Sequence, residues 1–599
     1  MPSRASLVLG INSAYHESAA AIVRGGRLLA AVEEERLTRV KHGKAARIDN
    51  PDQLPWQAIE WVLAAAGTHL TAVDAIAYSL VPGRRCLTIG RDPEGVDEAA
   101  GFGTEAGELE FDARVRRVPN LVADRAGASE LAERVEFVPH HLAHAASAFY
   151  PSGFPDAAVL AVDGIGEDAT SWLGKGGPRG LTLLEEIPYP HSLGMLWERV
   201  AVYLGFTPYD APKVMGLAAW GDAARFQREV AELLRVPDAG GGEPGGPVPP
   251  FLVDAGTAGL RAPDLTGLER VFGPARRPGE PPDGPRFAAV AAALQQRTEE
   301  ALLATCRRLA RSSGSANLAY AGGVALNCVA NARLERDGPF ERLYLPPAAH
   351  DAGTAVGAAF CVAHVLDGQR PRGPVAQDVP PAPFVGPSFD PKRIDAALSS
   401  LALPIRPVAQ PERTAARMLS RGLLVGWFQG RLELGPRALG HRSLLADPRH
   451  EETRRSLNLR IKHREPFRPF GASVLEEDAD AWFELPSARP GAAGSRDLML
   501  LAYPVRPHRA ADIPAVVHRD GSCRIQCVSR DARFRALLAH FKTLTGVPLV
   551  LNTSFNENEP IVSSPEDALR TFQRTGLDAL FLEDRLVLRP GVEPGLDEP

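Results

Sequence analysis

The chain has 599 residues, more than one hydrophobic core normally serves, so two or more domains are expected. A formal charge of −6 argues against a whole-surface nucleic-acid binder and leaves room only for a local basic pocket. The six cysteines include no C-x-x-C pair, which argues against a disulfide framework and against a paired zinc knuckle. The first residues turn polar too soon for a signal peptide, and no apolar run reaches the roughly 18 residues of a membrane helix. A cytoplasmic protein acting on soluble substrates is therefore expected.

Taken in chain order, residues 7–35 (LVLGINSAYHESAAAIVRGGRLLAAVEEE) read as strand, polar turn, strand, Gly-Gly turn and strand. Residues 159–186 repeat that pattern. Two such meanders, each followed by helices, resemble the duplicated actin/sugar-kinase architecture, in which the two first turns face a nucleotide cleft. Between them lies HHLAHAASAFY, an Ala-rich segment expected to be helical. His140 and His144, four apart, share one helix face, as do His141 and His144 at spacing three, so either pair can supply two ligands to one ion. Asp163 in AVDGIGE and Asp351 ahead of a Gly/Ala helix start are the candidate carboxylates. A mixed nitrogen and oxygen shell suits Fe, Zn or Mn better than Mg.

Further on, Pro237–Pro250 is too rich in Pro and Gly for a helix or strand and reads as a surface loop. The Gly-Gly turn of AGGVALN (residues 321–327) allows close backbone approach to a flat or anionic ligand. A second Pro/Gly-rich stretch, residues 368–387, separates a helical segment at 357–366 from another at 393–401. It divides the chain into domains at 1–367 and 388–599 joined by that linker. From Arg431 to Arg468 ten Lys/Arg face five Asp/Glu, a local excess of five positive charges in an acidic chain. Held in a frame of Gly, Pro and Phe, these cations are suited to a compact polyanion such as phosphate or adenylate. Arg524 in the strand-like SCRIQCV, and Asn552, Thr553 and Ser554 where the apolar LVL run breaks, add polar groups at strand positions.

The motifs YHESAAAIV, AVEEERLTRVKHG, HHLAHAASAFY, VDGIGE, KVMGLAAWG, AGGVALN, GPRALGHRS, KHREPFRPF and LNTSFNENEPIVSSP occur together and in order. In that combination the chain resembles the O-carbamoyltransferases of antibiotic biosynthesis, such as tobramycin carbamoyltransferase, and their nodulation-type cousins. The resemblance covers nearly the whole chain. It implies an α/β protein with a duplicated actin/sugar-kinase-like N-terminal domain similar to the tRNA threonylcarbamoyl transferase. The C-terminal domain would be similar to threonylcarbamoyl-adenylate synthase. The implied chemistry joins carbamoyl phosphate and ATP, with Mg, into carbamoyl adenylate, then passes the carbamoyl group to a small-molecule hydroxyl at a metal-containing N-terminal site. Carried onto this sequence, the resemblance selects His140, His144, Asp163 and Asp351 as ligands of one divalent metal, Fe first and Zn or Mn as alternatives. His16 becomes the catalytic base. Lys41, Arg437, Lys462 and Arg468 would grip carbamoyl phosphate, and Gly323, Asn327, Arg524, Asn552 and Ser554 would hold ATP and the adenylate.

Ala14 stands where an acidic contact to a polycationic aminoglycoside is expected, which favours a neutral sugar or polyketide acceptor. The expected state is a monomer or homodimer without nucleic-acid or membrane partners. Transfer of a (threonyl)carbamoyl group to tRNA is the alternative function, and a non-catalytic actin-like ATP switch is a third.

Overall fold

A computed structural model describes residues 5–92, 101–237, 248–366, 383–399, 401, 403–486 and 495–593. The chain forms two compact units, Met1–Thr38 with His42–Pro381, and Arg39–Lys41 with Ala382–Pro599. Most of the proline-rich linker, and the body of the loop expected at Pro237–Pro250, lie outside the described residues.

The first unit holds two five-stranded sheets of one design. In the first, β1 (Leu7–Asn12) and β2 (Ala19–Arg24) form an antiparallel hairpin that β3 (Arg27–Glu33) extends. On its other edge β1 pairs in parallel with β4 (Ala75–Tyr78), and β4 with β5 (Val135–Phe137). The second sheet repeats this with β6 (Ala157–Val162), β7 (Ala169–Gly177), β8 (Gly180–Pro188), β9 (Asn317–Ala321) and β10 (Arg342–Tyr344). Both sheets have the order third, second, first, fourth, fifth strand, which is the duplicated α/β arrangement the two meanders suggested. In the first meander Gly25 and Gly26 make the expected turn, with φ of 55° and 73°. In the second, the Gly176–Gly177 pair read as a turn completes β7, and the chain reverses just beyond it, into Gly180 at φ 94°.

Helix α1 (His140–Phe149) packs on the second sheet through small residues: Ala145 and Ala148 meet Ala157, Ala161, Ala319 and Ala321. Phe149, Phe154 and Trp172 close this core. The alanines and glycines of α1 and of α4 (Ala352–Leu366) leave little side chain between their backbones. A Cβ on Gly357 in the helix Ala352–Leu366 would stand 1.7 Å from the Ala143 carbonyl oxygen. A Cβ on Gly10 of β1 would stand 1.9 Å from the Ala355 carbonyl. The helix Ala352–Leu366 is therefore pressed against both α1 and β1, and its N-terminal end brings Asp351 to the histidines of α1. Between these helices in sequence lie α2 (Leu193–Tyr203) and the long α3 (Pro285–Ser313).

The second unit is built on one mixed sheet of nine strands. They are β11 (Ile405–Pro407), β12 (Val425–Phe428), β13 (Arg442–Ala446), β14 (Gly471–Leu475), β15 (Leu501–Pro504), β16 (Ser522–Val528), β17 (Leu549–Ser554), β18 (Ala579–Leu582) and β19 (Arg585–Leu588). Their spatial order is β11-β19-β18-β12-β13-β17-β14-β16-β15. Asn552 to Ser554, where a break was expected, continue β17 to its end. Helices α5 (Pro411–Ser420) and α6 (Ala532–Thr545) pack together beside the sheet.

Register decides which side chains share a face of this sheet. Gly471 lies opposite both Arg524 and Asn552, and Ser473 opposite Gln526. With the two-residue period of a strand, Arg524, Gln526, Ser473, Asn552 and Ser554 therefore fall on one face. That row is hydrogen-bonded along its length, Ser473 Oγ to Gln526 Oε1 at 2.7 Å and Asn552 Nδ2 to Ser473 Oγ at 2.8 Å.

Candidate metal centre and cationic pocket

The four residues that the resemblance selects converge in the first unit. His140 Nε2 lies 3.3 Å from Asp163 Oδ2 and 3.6 Å from Asp351 Oδ1, and His144 Nε2 lies 3.4 Å from each of the same oxygens. Donors bound to one tetrahedral ion at bonds of about 2.0–2.1 Å stand roughly 3.3–3.4 Å apart, so the set is already spaced for an ion. All four residues are buried, 7% exposed at most. Among the described residues neither ring nitrogen of His144 is in hydrogen-bond geometry with a partner, although Nε2 faces both carboxylates. A buried imidazole without a hydrogen bond carries a desolvation cost that a ligated ion removes. The donor chemistry, two nitrogens and two carboxylate oxygens, fits Fe, Zn or Mn.

The surroundings hold these ligands in place. His140 Nδ1 approaches the Ser79 carbonyl at 3.3 Å, which directs Nε2 to the cluster. Asp163 Oδ1 accepts the Gly323 N–H at 2.8 Å, leaving Oδ2 for the histidines. Glu167, which the sequence reading passed over, accepts the backbone N–H of His140 at 2.9 Å and that of Val81 at 3.0 Å. A carboxylate at the first turn of α1 also suits the positive end of the helix.

Charge separates the three histidines of α1. Burial lowers His140, but hydrogen bonds and charges from Asp163 and Asp351 outweigh it and hold it well above the usual imidazole range. His141 has no such partner, and burial with the His140 charge pushes it down to about 3. The i,i+4 pair faces the two carboxylates, and burial favours the neutral form of His141. Glu198 on α2 is pushed up to about 8 by burial and then by the charges of Asp163 and Asp351.

His16 belongs to a second group in the same unit. It meets Tyr209 edge-on at 5.1 Å between ring centroids, and Tyr209 stacks on His42 at 4.9 Å. Glu17, Glu35 and His42 bring possible ligand atoms within 4.8 Å of one another. Their charges are already matched, however: Glu35 pairs with Arg36 and Glu17 with His42.

Gly323 and Asn327 sit at the end of β9. Asn327 caps the following helix by accepting the Ala330 N–H at 3.1 Å, and its amide pairs with Gln295 at 2.9 and 3.2 Å. Gly323 is tied to Asp163 as described, so here these two residues order the His/Asp cluster and the helix start.

The second unit collects the remaining candidates. Lys462 is 2% exposed, and its ammonium donates to Ser554 O at 2.6 Å, Asn556 O at 2.8 Å and Asn556 Oδ1 at 2.7 Å. Burial pushes it well below the ordinary lysine range, and the charges of Arg464, Arg468 and Lys41 push the same way against Glu559. Arg464 is lowered too, by burial and then by Arg468 and Arg524. Lys41, Lys462, Arg464, Arg468 and Arg524 thus share one electropositive region, of which Arg464 was not singled out from sequence. Arg437 lies in the connection from β12 to β13, beside Ala438, whose carbonyl accepts from Asn552 Nδ2 at 3.2 Å. Asn552 holds that connection to the sheet, while Ser554 is engaged by Lys462.

Comparison with known proteins agrees with both units. The family model for the Carbamoyltransferase N-terminus matches residues 7–360, and that for the Carbamoyltransferase C-terminus matches residues 416–589. The chain belongs to the carbamoyltransferase family. It is 35% identical to the nodulation protein NolNO of Sinorhizobium fredii, over 97% of this chain and 80% of that one. The nodulation protein NolO of Bradyrhizobium diazoefficiens is 38% identical over 75% of this chain and 78% of its own length. An uncharacterized protein, sll1178 of Synechocystis, is 37% identical over 98% of this chain and 97% of its own. Among solved structures, HypF of T. kodakarensis aligns with 63% of this chain and 49% of its own at a TM-score of 0.32 and 14% identity.

Proposed function

We propose that this carbamoyltransferase is ATP-dependent and acts on a hydroxyl. In this reading the second unit joins carbamoyl phosphate and ATP, with Mg, into carbamoyl adenylate and pyrophosphate. The first unit then moves the carbamoyl group to an alcohol of a small natural product, a neutral sugar or polyketide of the kind modified in antibiotic biosynthesis. The observation that carries the reading is the buried Lys462 set among Arg464, Arg468 and Lys41, with Glu559 as the acid acting on it. Such a group of cations repels itself and is relieved by a polyanion. Two phosphorylated substrates supply that charge, and the cations in turn offset their mutual repulsion.

A carbamoyl group is resonance-stabilised and a poor electrophile, so linkage to AMP supplies the leaving group that the alcohol displaces. His140, His144, Asp163 and Asp351 would hold the metal, Fe in the first instance, and an ion there supplies Lewis acidity toward a phosphate or carbonyl oxygen. Arg437, Lys462 and Arg468, with Lys41, would bind carbamoyl phosphate. Arg524, Asn552 and Ser554 would line the adenylate, Gly323 and Asn327 the N-terminal nucleotide loop, and His16 would act as the catalytic base on the acceptor hydroxyl. This reading assigns the reaction to the cytoplasm, for which six sparse cysteines without C-x-x-C spacing are suited.

Incubation with ATP, carbamoyl phosphate and a panel of sugars, polyketides and aminoglycosides tests the reading by a mass gain of one carbamoyl group. Pyrophosphate release that does not depend on carbamoyl phosphate would sink it. Carbamoylation of aminoglycosides alone would overturn the neutral acceptor, and modification of tRNA instead would move the enzyme to nucleic-acid modification.

A further inference from the structure

A buried chain of hydrogen bonds runs from an ion pair in the first unit to the turn that carries Asp163. Arg85 lies in the short turn Arg84–Thr88, and Glu108 in the helix Glu105–Val115. The two are 3% and 0% exposed. Arg85 Nε donates to Glu108 Oε2 at 2.8 Å and Nη2 donates to Oε1 at 2.7 Å, the paired fork that fits a guanidinium to a carboxylate. Glu108 Oε1 also accepts the Gly103 N–H at 2.8 Å. Three aromatic rings surround the cation, its central carbon lying 4.9 Å from the Phe102 centroid, 5.2 Å from Phe111 and 5.5 Å from Tyr15.

The third nitrogen, Nη1, donates to the Tyr15 hydroxyl oxygen at 2.8 Å and approaches the Gly166 carbonyl at 3.4 Å. A guanidinium only donates, so the Tyr15 oxygen accepts from it and sends its own proton to its other partner, the Gly166 carbonyl. Tyr15 thereby ties the turn after β1 to the turn after β6. Gly166 stands three residues from Asp163 and next to Glu167, whose carboxylate holds the His140 N–H. A Cβ on Gly166 would lie 2.8 Å from the His141 ring and 3.2 Å from His140 Cβ, so this turn sits directly on α1. The Tyr15 ring also meets His140 edge-on, at 5.7 Å between centroids. A shift of Tyr15 therefore reaches both a carboxylate and an imidazole of the cluster.

We infer that Arg85, Glu108 and Tyr15 are positioning residues of the metal centre: the ion pair orients the Tyr15 hydroxyl, and that hydroxyl sets the turn from which Asp163 reaches the ion. The inference rests on the reading proposed above, in which His140, His144, Asp163 and Asp351 hold a divalent ion. None of the three belongs to that ligand set. Each acts through a neighbour, as the support around metal ligands does when it fixes their direction. A buried Arg–Glu pair adds little stability over apolar side chains of the same size, so its contribution here is direction. With one lone pair of the hydroxyl taken by Arg85, the proton is left a single carbonyl to meet.

The test uses the full chain, stripped with chelator and titrated with Zn2+ against a chromophoric chelator, with Tm measured in the metal-free state. Tyr15→Phe keeps the ring beside His140 and removes the hydroxyl, and its zinc dissociation constant should rise about tenfold. Arg85→Met alone would leave Glu108 buried and unpaired, so both charges are removed together in Arg85→Met/Glu108→Gln. That double variant should weaken zinc by a similar factor, and Tyr15→Phe added to it should weaken zinc no further, because all three act through one hydroxyl. Arg308 and the partly buried Glu185, paired at 2.7 Å between α3 and β8, share no residue with this network. Arg308→Met should lower the metal-free Tm and leave zinc affinity within about twofold of normal. Zinc affinity within about twofold of normal in Tyr15→Phe, full additivity in the triple variant, or equal weakening in Arg308→Met would each overturn the inference. An unaltered chain that binds no zinc is a different failure, that of the metal reading itself, and the inference falls with it.

Discussion

Asp163 divides its carboxylate between two neighbours, Oδ1 accepting the Gly323 N–H at 2.8 Å while Oδ2 faces the two histidines. A Cβ on Gly323 would stand 2.7 Å from that Oδ1. Gly323→Ala should therefore push the carboxylate aside and weaken metal retention about 10- to 100-fold, the usual effect of disturbing a ligand's support. Metal content after dialysis against graded chelator measures it. Unchanged retention with an intact fold would show that Asp163 is not a ligand.

The same logic reaches Asp351 through packing. The contact between Gly357 and the Ala143 carbonyl fixes the helix Ala352–Leu366 against α1 at a distance that no side chain permits. Gly357→Ala should cost about 1–3 kcal/mol by overpacking, and should also lower metal affinity, because the shifted helix carries Asp351 with it. Thermal unfolding with and without metal separates the two effects. The metal-dependent gain in Tm should shrink in the variant.

How much of this was legible in the sequence depended on the span of the contact. The spacing of His140 and His144 sets their common helix face, and the AVDGIGE and AHDAG turns offered the two carboxylates. The tie between His140 and His141 could not be broken by spacing, since i,i+3 and i,i+4 both face one way. It is broken by Asp163 and Asp351 lying beside one ring and not the other. Strand period placed SCRIQCV and LVLNTS, but the row of Arg524, Ser473 and Asn552 needs the pairing register of three strands far apart in sequence. Glu17 and His42 stayed hidden for the same reason, as no local rule brings residues 25 apart into a hydrogen bond. The Gly176–Gly177 pair misled because Gly is permissive of a turn without requiring one.

Glu17 also makes stability depend on pH. Its carboxyl is held at about 2 against an ordinary 4.5, so the contribution is complete above 4.5 and is lost as pH falls through about 2. Glu17→Gln should destabilise the protein by about 2–3 kcal/mol near pH 7, and the gap from the unaltered chain should close on acidification toward pH 2. Denaturant midpoints across that range are the measurement. A gap that persisted unchanged at low pH would mean that packing, not charge, is lost.

In the second unit, Arg524 carries a guanidinium whose buried Nε has no hydrogen-bond partner among the described residues and whose charge lowers Arg464. Arg524→Met should raise Tm in anion-free buffer by a few degrees, by relieving repulsion among the cations. Pyrophosphate or ATP should stabilise the unaltered protein more than the variant, because an anion bound only to the folded state adds its binding energy. Equal shifts in both proteins would place the anion elsewhere.

If the chain works as proposed, its two half-reactions should separate by mutation. Arg437 lies beside the Asn552 tie in the second unit, whereas His16 lies on the Tyr209 wall in the first. Arg437→Ala should abolish carbamoyl-phosphate-dependent ATP–pyrophosphate exchange, since loss of a cation to a phosphorylated substrate costs about 2–4 kcal/mol of transition-state binding. His16→Ala should keep that exchange and lose delivery of the carbamoyl group to an alcohol. Mixing the two variants tests whether the intermediate can leave one polypeptide and be used by another. Carbamoyl adenylate hydrolyses readily, so activity should not recover if transfer stays within one enclosed chain. Recovery to near the unaltered rate would show that the intermediate diffuses freely between molecules.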